Sequence, residues 1–277
     1  MNLYDKTCFE CSKLVTLRYS TSFSIGIKAF DKKFRLPVYA IYGFVRFADE
    51  IVDTFHEYDK QTLIGNFRQD AFTAIEQKIS LNPVLHSFQL IVNQYHIPDE
   101  LIDAFLFSME MDLHKKTFDP ESYKNYIYGS AEVIGLMCLK VFCGDDEQLY
   151  HRLLPNARSL GSAFQKVNFL RDVKADIEER GRTYFPGVDF KNFTEQDKRL
   201  IEADIKKDFA HGFEGIKQLP EGCMLGVYIA YCYYLQLFKK IIGLPVNTLL
   251  EKRIRVSDTR KMAVYCKAAL QQKLNMI

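Results

Sequence analysis

Apolar residues recur along this chain at helical spacing from end to end, and no stretch shows the alternation of a half-buried strand. Start and stop signals divide the pattern into segments. Pro37 stands where an N1 proline would open a helix reaching about His56. Further patterns cover Gln61 to Ile79, stopping near Asn82-Pro83, and then Val84 to Tyr95. Pro98-Asp99-Glu100 and Pro120-Glu121-Ser122 each open a helix with acid in its first turn, the second ending near Cys143-Gly144. Asp145-Asp146-Glu147 starts a long helix to about Glu178, Arg180-Gly181 stops it, and Tyr184-Phe185-Pro186-Gly187 reads as a loop. Thr194-Glu195-Gln196-Asp197 begins another helix, and a last one starts near Ser257. Linkers are short and no solenoid-length repeat is present. The expectation is one all-α domain over residues 1–277, without an internal boundary.

Composition narrows the function classes. With 48% hydrophobic and 14% aromatic residues, the chain can bury a large core, which argues against disorder. The net charge of +2, without a basic run, argues against a nucleic-acid partner. Seven scattered cysteines, an odd number, fit a reducing compartment better than a disulfide framework. Cys8-x-x-Cys11 lacks the second half-site a zinc ion needs and reads as two thiols on an N-terminal helix. The N-terminus has no signal-peptide h-region. The most apolar stretch, Cys223 to Phe238, is slightly short for a membrane span and reads as a buried helix. Lys239 and Lys240 after it cap that helix or meet lipid headgroups.

Two acidic pairs stand out against this background. Asp49 and Asp53 lie in R-F-A-D-E-I-V-D, and Asp172 and Asp176 in Q-K-V-N-F-L-R-D-V-K-A-D. Each pair is spaced i, i+4, which puts both carboxylates on one helix face. Arg46 and Arg171 stand close by. Taking Gln165 as the origin, Asn168 falls at about −60°, Gly161 at about −40°, Asp172 at about −20° and Asp176 at about +20° around the helix. Leu160, Phe164, Val167, Leu170 and Val173 fill much of the remaining circumference. Tyr42, Arg46, Asp49 and Asp53 share a face in the same way. One such pair alone would read as an ordinary surface ion pair. Two pairs with flanking arginines, the second on a narrow stripe among apolar neighbours, call for a cation or donor to satisfy them. Divalent ions holding a phosphate-bearing substrate would do so. Periodicity does not say whether the two stripes face each other.

These residues resemble the squalene/phytoene synthases, head-to-head prenyltransferases of the all-α isoprenoid-synthase fold, and most of all its bacterial phytoene synthases. The resemblance runs from Y-S-T-S-F-S to R-I-R-V-S-D-T-R-K, nearly the whole chain. Asp49 to Asp53 looks like the first aspartate motif in its D-E form, Gln165 to Asp176 like the second, and Arg180 to Pro186 like the segment after it. Tyr19 to Phe23 looks like the N-terminal segment whose hydroxyls meet a diphosphate, and Tyr128 to Gly135 like a stretch lining the prenyl channel. Two positions depart from the pattern. Glu132 replaces a glycine, so it points away from the channel or the channel differs locally. Ala175 replaces an acid common in the second motif. Terpene cyclases and chain-elongating synthases fit less well, because Asn168, Asp172 and Asp176 follow the head-to-head form and Ala48-Asp49 breaks a D-D-x-x-D.

The resemblance implies a helical bundle around a central cavity, and the condensation of two allylic diphosphates through a cyclopropylcarbinyl diphosphate. It implies Mg2+, or Mn2+ in its place, on Asp49, Asp53, Asn168, Asp172 and Asp176. It assigns diphosphate and substrate binding to Ser20, Ser22, Phe23, Tyr42, Arg46, Tyr128, Gln165, Arg171, Arg182 and Arg253. Arg255 is a near neighbour that would take the last role equally well. Tyr184 and Tyr234 would sit by the diphosphates or the rearranging cation, although they and Tyr128 fit core tyrosines too. The D-E motif and compact length favour geranylgeranyl diphosphate and a phytoene product, with no nicotinamide cofactor. The alternatives are a squalene or dehydrosqualene synthase using farnesyl diphosphate and, with both pairs intact, less readily a non-catalytic respiratory assembly factor. A cytoplasmic protein, or one peripheral at the inner membrane face, is expected.

Overall fold

The computed structural model describes residues 1–274; residues 275–277 of the expected domain lie outside the described residues. Among the described residues there are helices and no strands, with one isolated bridge between Thr117 and Thr183. The order is α1 (Leu3–Tyr19), α2 (Thr21–Lys28), α3 (Lys32–Thr54), α4 (Lys60–Gln77), α5 (Pro83–Tyr95), α6 (Asp99–His114) and α7 (Pro120–Ile127). A π-helical turn, Tyr128–Glu132, joins α7 to α8 (Val133–Cys143). Then come α9 (Glu147–Glu178), a 3-10 turn (Phe190–Asn192), α10 (Glu195–Ile216), α11 (Glu221–Ile242), α12 (Val246–Glu251) and α13 (Asp258–Lys273).

Local chemistry fixes most of these boundaries. The Asn82 side chain caps α5 ahead of an N1 proline, Asp119 does the same for α7, and Asp146 accepts from Leu149 N–H to open α9. Thr194 and Asp197 form a capping box at α10. One start is displaced. Pro37 lies inside α3, which begins at Lys32. Phe34 explains the extension: it is buried and packs edge-on against Phe142 at 5.6 Å, so tertiary packing carries the helix back past the proline.

Two large apolar clusters make most of the core, with two smaller ones around Ile216 and Leu153. One large cluster gathers α3, α4, α5, α6 and α8 around Phe44, which stacks on Phe88 at 3.9 Å. The other gathers α9, α10, α11, α12 and the loop from Tyr184 to Phe193 around Phe169, Leu170 and Phe238. Pro120–Cys143 is long and apolar enough to cross a membrane by composition alone, at mean hydropathy 1.4, but 67% of its most apolar window is buried in the protein. That makes it a core helix. The apolar stretch from Cys223 to Phe238 lies within α11, with Tyr228, Ile229, Tyr234, Leu237 and Phe238 buried. Lys240 donates to the Arg255 carbonyl at 2.6 Å. All seven cysteines are free, and Cys8 and Cys11 share α1.

Candidate active site

The two aspartate motifs do face each other. Asp49 and Asp53 occupy the last two turns of α3, and Asp172 and Asp176 the end of α9. The Arg180 guanidinium joins them, 3.3 Å from Asp53 and 2.9 Å from Asp176. Both helices end at the site, so their negative dipole ends add to the carboxylate charge. Arginines offset it. Arg46 binds Asp49 at 2.5 Å and also Glu50. Arg171 and Arg253 both bind Asp172, at 2.5 and 2.8 Å. Arg182 approaches Asp53 at 3.8 Å.

Arg182 is held from behind. It lies 3.1 Å from the carboxylate of Asp112 on α6 and donates to that residue's carbonyl at 2.6 Å. Tyr126 donates to the same carboxylate at 2.8 Å. Burial lifts the Asp112 carboxyl to about 7, although Arg182 pulls the other way. Tyr184 extends this scaffold: its ring stacks on Phe169 at 4.0 Å, and its hydroxyl accepts a long bond from Arg182 at 3.4 Å. The bridge between Thr117 and Thr183, with Thr183 N–H bonded to the Lys116 carbonyl at 2.8 Å, pins the segment carrying Arg182 and Tyr184 to the turn before α7.

A cavity of about 350 Å³ leads away from the charged groups, between the two core clusters. Arg46, Asp49, Gln165, Asn168 and Tyr234 line it beside the motifs; Ile27, Phe30, Ile41, Leu139, Phe142 and Leu153 line the rest. Along α3 the lining runs from Val38 to Asp49, about 16 Å of helix, and along α9 from Leu153 to Asn168, about 22 Å. It is therefore a deep apolar slot with a charged end. Phe23 and Tyr42 line it with ring centres 5.5 Å apart, and Tyr234 stacks on Phe164 at 4.0 Å. Gln165 donates to Ser130 at 3.3 Å and accepts from Asn168 at 3.3 Å.

Other expected residues are placed differently. Ser20 caps α2 by accepting from Phe23 N–H at 3.2 Å. Ser22 is half-buried on α2 and is not part of the cavity lining. Tyr128 also lies outside the lining, its ring beneath Arg158 at 5.0 Å. Glu132 resolves to the first of its two readings: it turns from the cavity and pairs with Arg158 at 2.5 Å. Sequence reasoning gave no site role to Arg180, read as a helix stop and as the start of the segment after the second motif, or to Asp112, one of two acids in the apolar run F-L-F-S-M-E-M-D-L.

The donor set suits a hard divalent cation. The Asn168 side-chain oxygen is buried beside the cavity without a hydrogen-bond partner, and all other donors are carboxylate oxygens. Among the described residues no three His, Cys, Asp or Glu side chains gather tightly enough to hold a metal alone. The fit is to an open shell completed by phosphate oxygens and water.

Comparison with known proteins agrees with this geometry. The squalene/phytoene synthase family profile matches residues 16–260. A phytoene synthase of Pseudescherichia vulneris is 25% identical over 247 residues, covering 80% of this chain and 78% of that protein. A bifunctional lycopene cyclase/phytoene synthase of Blakeslea trispora is 26% identical over 258 residues, covering 78% of this chain; the chain spans only 41% of that longer protein. The crystal structure of a dehydrosqualene synthase in complex with ligand superposes with a TM-score of 0.81 at 21% identity, covering 97% of this chain and 98% of the other. With a matching fold, two opposed aspartate motifs and an apolar slot behind them, the chain belongs to the squalene/phytoene synthase family of prenyltransferases, which act on prenyl diphosphates.

Proposed function

We propose that this protein condenses two geranylgeranyl diphosphates head to head into phytoene, releasing both diphosphates. The observation that carries the reading is the pair of aspartate motifs facing each other at the charged end of a deep apolar slot. Asp49, Asp53, Asn168, Asp172 and Asp176 would hold Mg2+. Bound there, the cation supplies positive charge to the departing diphosphate. Arg46, Arg171 and Arg253 add fixed positive charge at the same end and orient the leaving group. Tyr42 and Tyr234 line the slot, where an allylic cation would sit. The apolar lining excludes the water that would quench it. The D-E form of the first motif and the phytoene synthase relatives support the C20 substrate. The reading includes a cytoplasmic protein that meets the inner membrane face peripherally, since its product is an apolar hydrocarbon.

A second reading, farnesyl diphosphate, is favoured by one observation. The slot ends on Phe30 and Phe142, packed edge-on at 5.2 Å, and a bulky floor suits a shorter chain. Incubating the purified protein with each diphosphate and Mg2+, without nicotinamide cofactor, separates the two. A C40 hydrocarbon is the expected product, and a C30 hydrocarbon as the main product would replace the substrate assignment. Asp172→Ala should lower turnover by about two orders of magnitude or more. Unchanged turnover in that variant would sink the site assignment.

A further inference from the structure

Five arginines surround the aspartate motifs, and four are committed to one place. Arg46 pairs with Asp49 and Glu50 on its own helix. Arg171 and Arg253 converge on Asp172. Arg182 is buried against the side chain and the carbonyl of Asp112. Arg180 differs: among the described residues it alone pairs with both motifs, and its side chain is one-third exposed. It follows the last residue of α9 by two positions, and the next residue, Gly181, has φ of +63°, which favours glycine. Beyond it the chain is fixed again at Thr183 by the bond to Lys116. The guanidinium thus hangs from a short span anchored at both ends. It can swing about its own side-chain torsions while the backbone stays still.

We infer that Arg180 is a diphosphate-binding residue that the ligand-free protein keeps between the two motifs. This rests on the functional reading above. Asp53 and Asp176, whose carboxylates it holds, are among the residues that would hold a divalent cation. A guanidinium and a divalent ion repel strongly at a few ångströms, so both cannot share that position. Loading the site therefore expels Arg180 from the carboxylates. The diphosphate arriving at the same place is the anion its planar fork suits. One residue then has two opposed effects: it competes with the bare cation and cooperates with the cation once diphosphate is present.

Those opposed signs are the test. Binding of Mn2+ alone is measured by electron paramagnetic resonance, and binding of inorganic diphosphate at saturating Mg2+ by calorimetry, for wild type, Arg180→Gln and Arg180→Lys. Arg180→Gln should bind Mn2+ alone more tightly and diphosphate more weakly, each on the order of tenfold. Arg180→Lys, which keeps the charge without the fork, should fall between wild type and Arg180→Gln in both. Affinities that move in the same direction, or that do not move, would overturn the inference and leave Arg180 a structural strut. Failure of the functional reading looks different: wild type then forms no hydrocarbon from either prenyl diphosphate, whatever the variants do with Mn2+ and inorganic diphosphate.

Discussion

Asp49 and Asp176 hold their protons more firmly than ordinary carboxyls. Burial first, and then the charge of Asp53, lifts Asp49 to about 6; burial, with Asp172 adding to it, lifts Asp176 to about 6 against the pull of Arg180. A carboxyl raised in the folded state binds more protons there than in the unfolded chain between about pH 4 and 6. Stability of the metal-free protein should therefore fall as pH rises through that window. Mg2+ binding should strengthen over the same window, because the proton must leave before the cation binds. Thermal midpoints at stepped pH, with and without Mg2+ and diphosphate, check both slopes; a metal-free midpoint that climbs from pH 4.5 to 6.5 would contradict the assignment. At this scale the sequence was informative wherever residues lie on one helix. The stripe from Gln165 to Asp176 and the face from Tyr42 to Asp53 follow from a 100° rotation alone. Arg180 and Asp112 escaped because, apart from the i, i+4 pair of Arg180 with Asp176, their partners lie on distant elements. Arg180 reaches back to α3, and Asp112 matters only through Arg182, which follows it by seventy positions.

Among the elements, the π turn at Tyr128–Glu132 has the most influence on the slot. It is wedged between α6 and α9, and glycines permit both approaches. A Cβ on Gly129 would stand 2.3 Å from the Ala104 carbonyl oxygen, and one on Gly161 would stand 2.8 Å from that of Ala131. Gly161 falls on the polar stripe for that reason: it lets α9 press against the turn where Ser130 meets Gln165. Gly161→Ala forces backbone apart from backbone, and its cost should be about 1–3 kcal/mol by urea unfolding. Its catalytic loss should exceed that of an equally destabilising change far from the slot. A variant as stable and active as wild type would remove this role. Helix starts carrying Pro, Asp or Thr were legible, since a cap is a local bond. The true start of α3 was not, because Phe34 extends it through contact with Phe142, more than a hundred residues away. The π turn and the short helices α2 and α12 left no periodic signal long enough to read.

Taken as a whole, the molecule balances its site with its own side chains. Six acids (Asp49, Glu50, Asp53, Asp112, Asp172 and Asp176) meet the five arginines, so little net charge is left before any ligand arrives. After exhaustive chelation the protein should keep its helical content and a single cooperative unfolding transition, followed by circular dichroism. Loss of helix on chelation would mean that metal is part of the fold. The all-α class was readable from spacing alone, and the bundle around a cavity from the family resemblance. The depth and floor of the slot were not, since they depend on how Phe142 of α8 and Leu153 of α9 converge with Phe30 of the turn between α2 and α3. The ion pair between Asp53 and Arg180 spans 127 residues of chain. Contacts of such separation close late in folding, after the entropy of a long loop has been lost. A growing chain carries its first acid motif well before α9 leaves the ribosome. Competence to grip a diphosphate therefore comes only once α9 has been made and docked, and a folding intermediate with α9 undocked has the first acids with only Arg46 of their own helix to balance them.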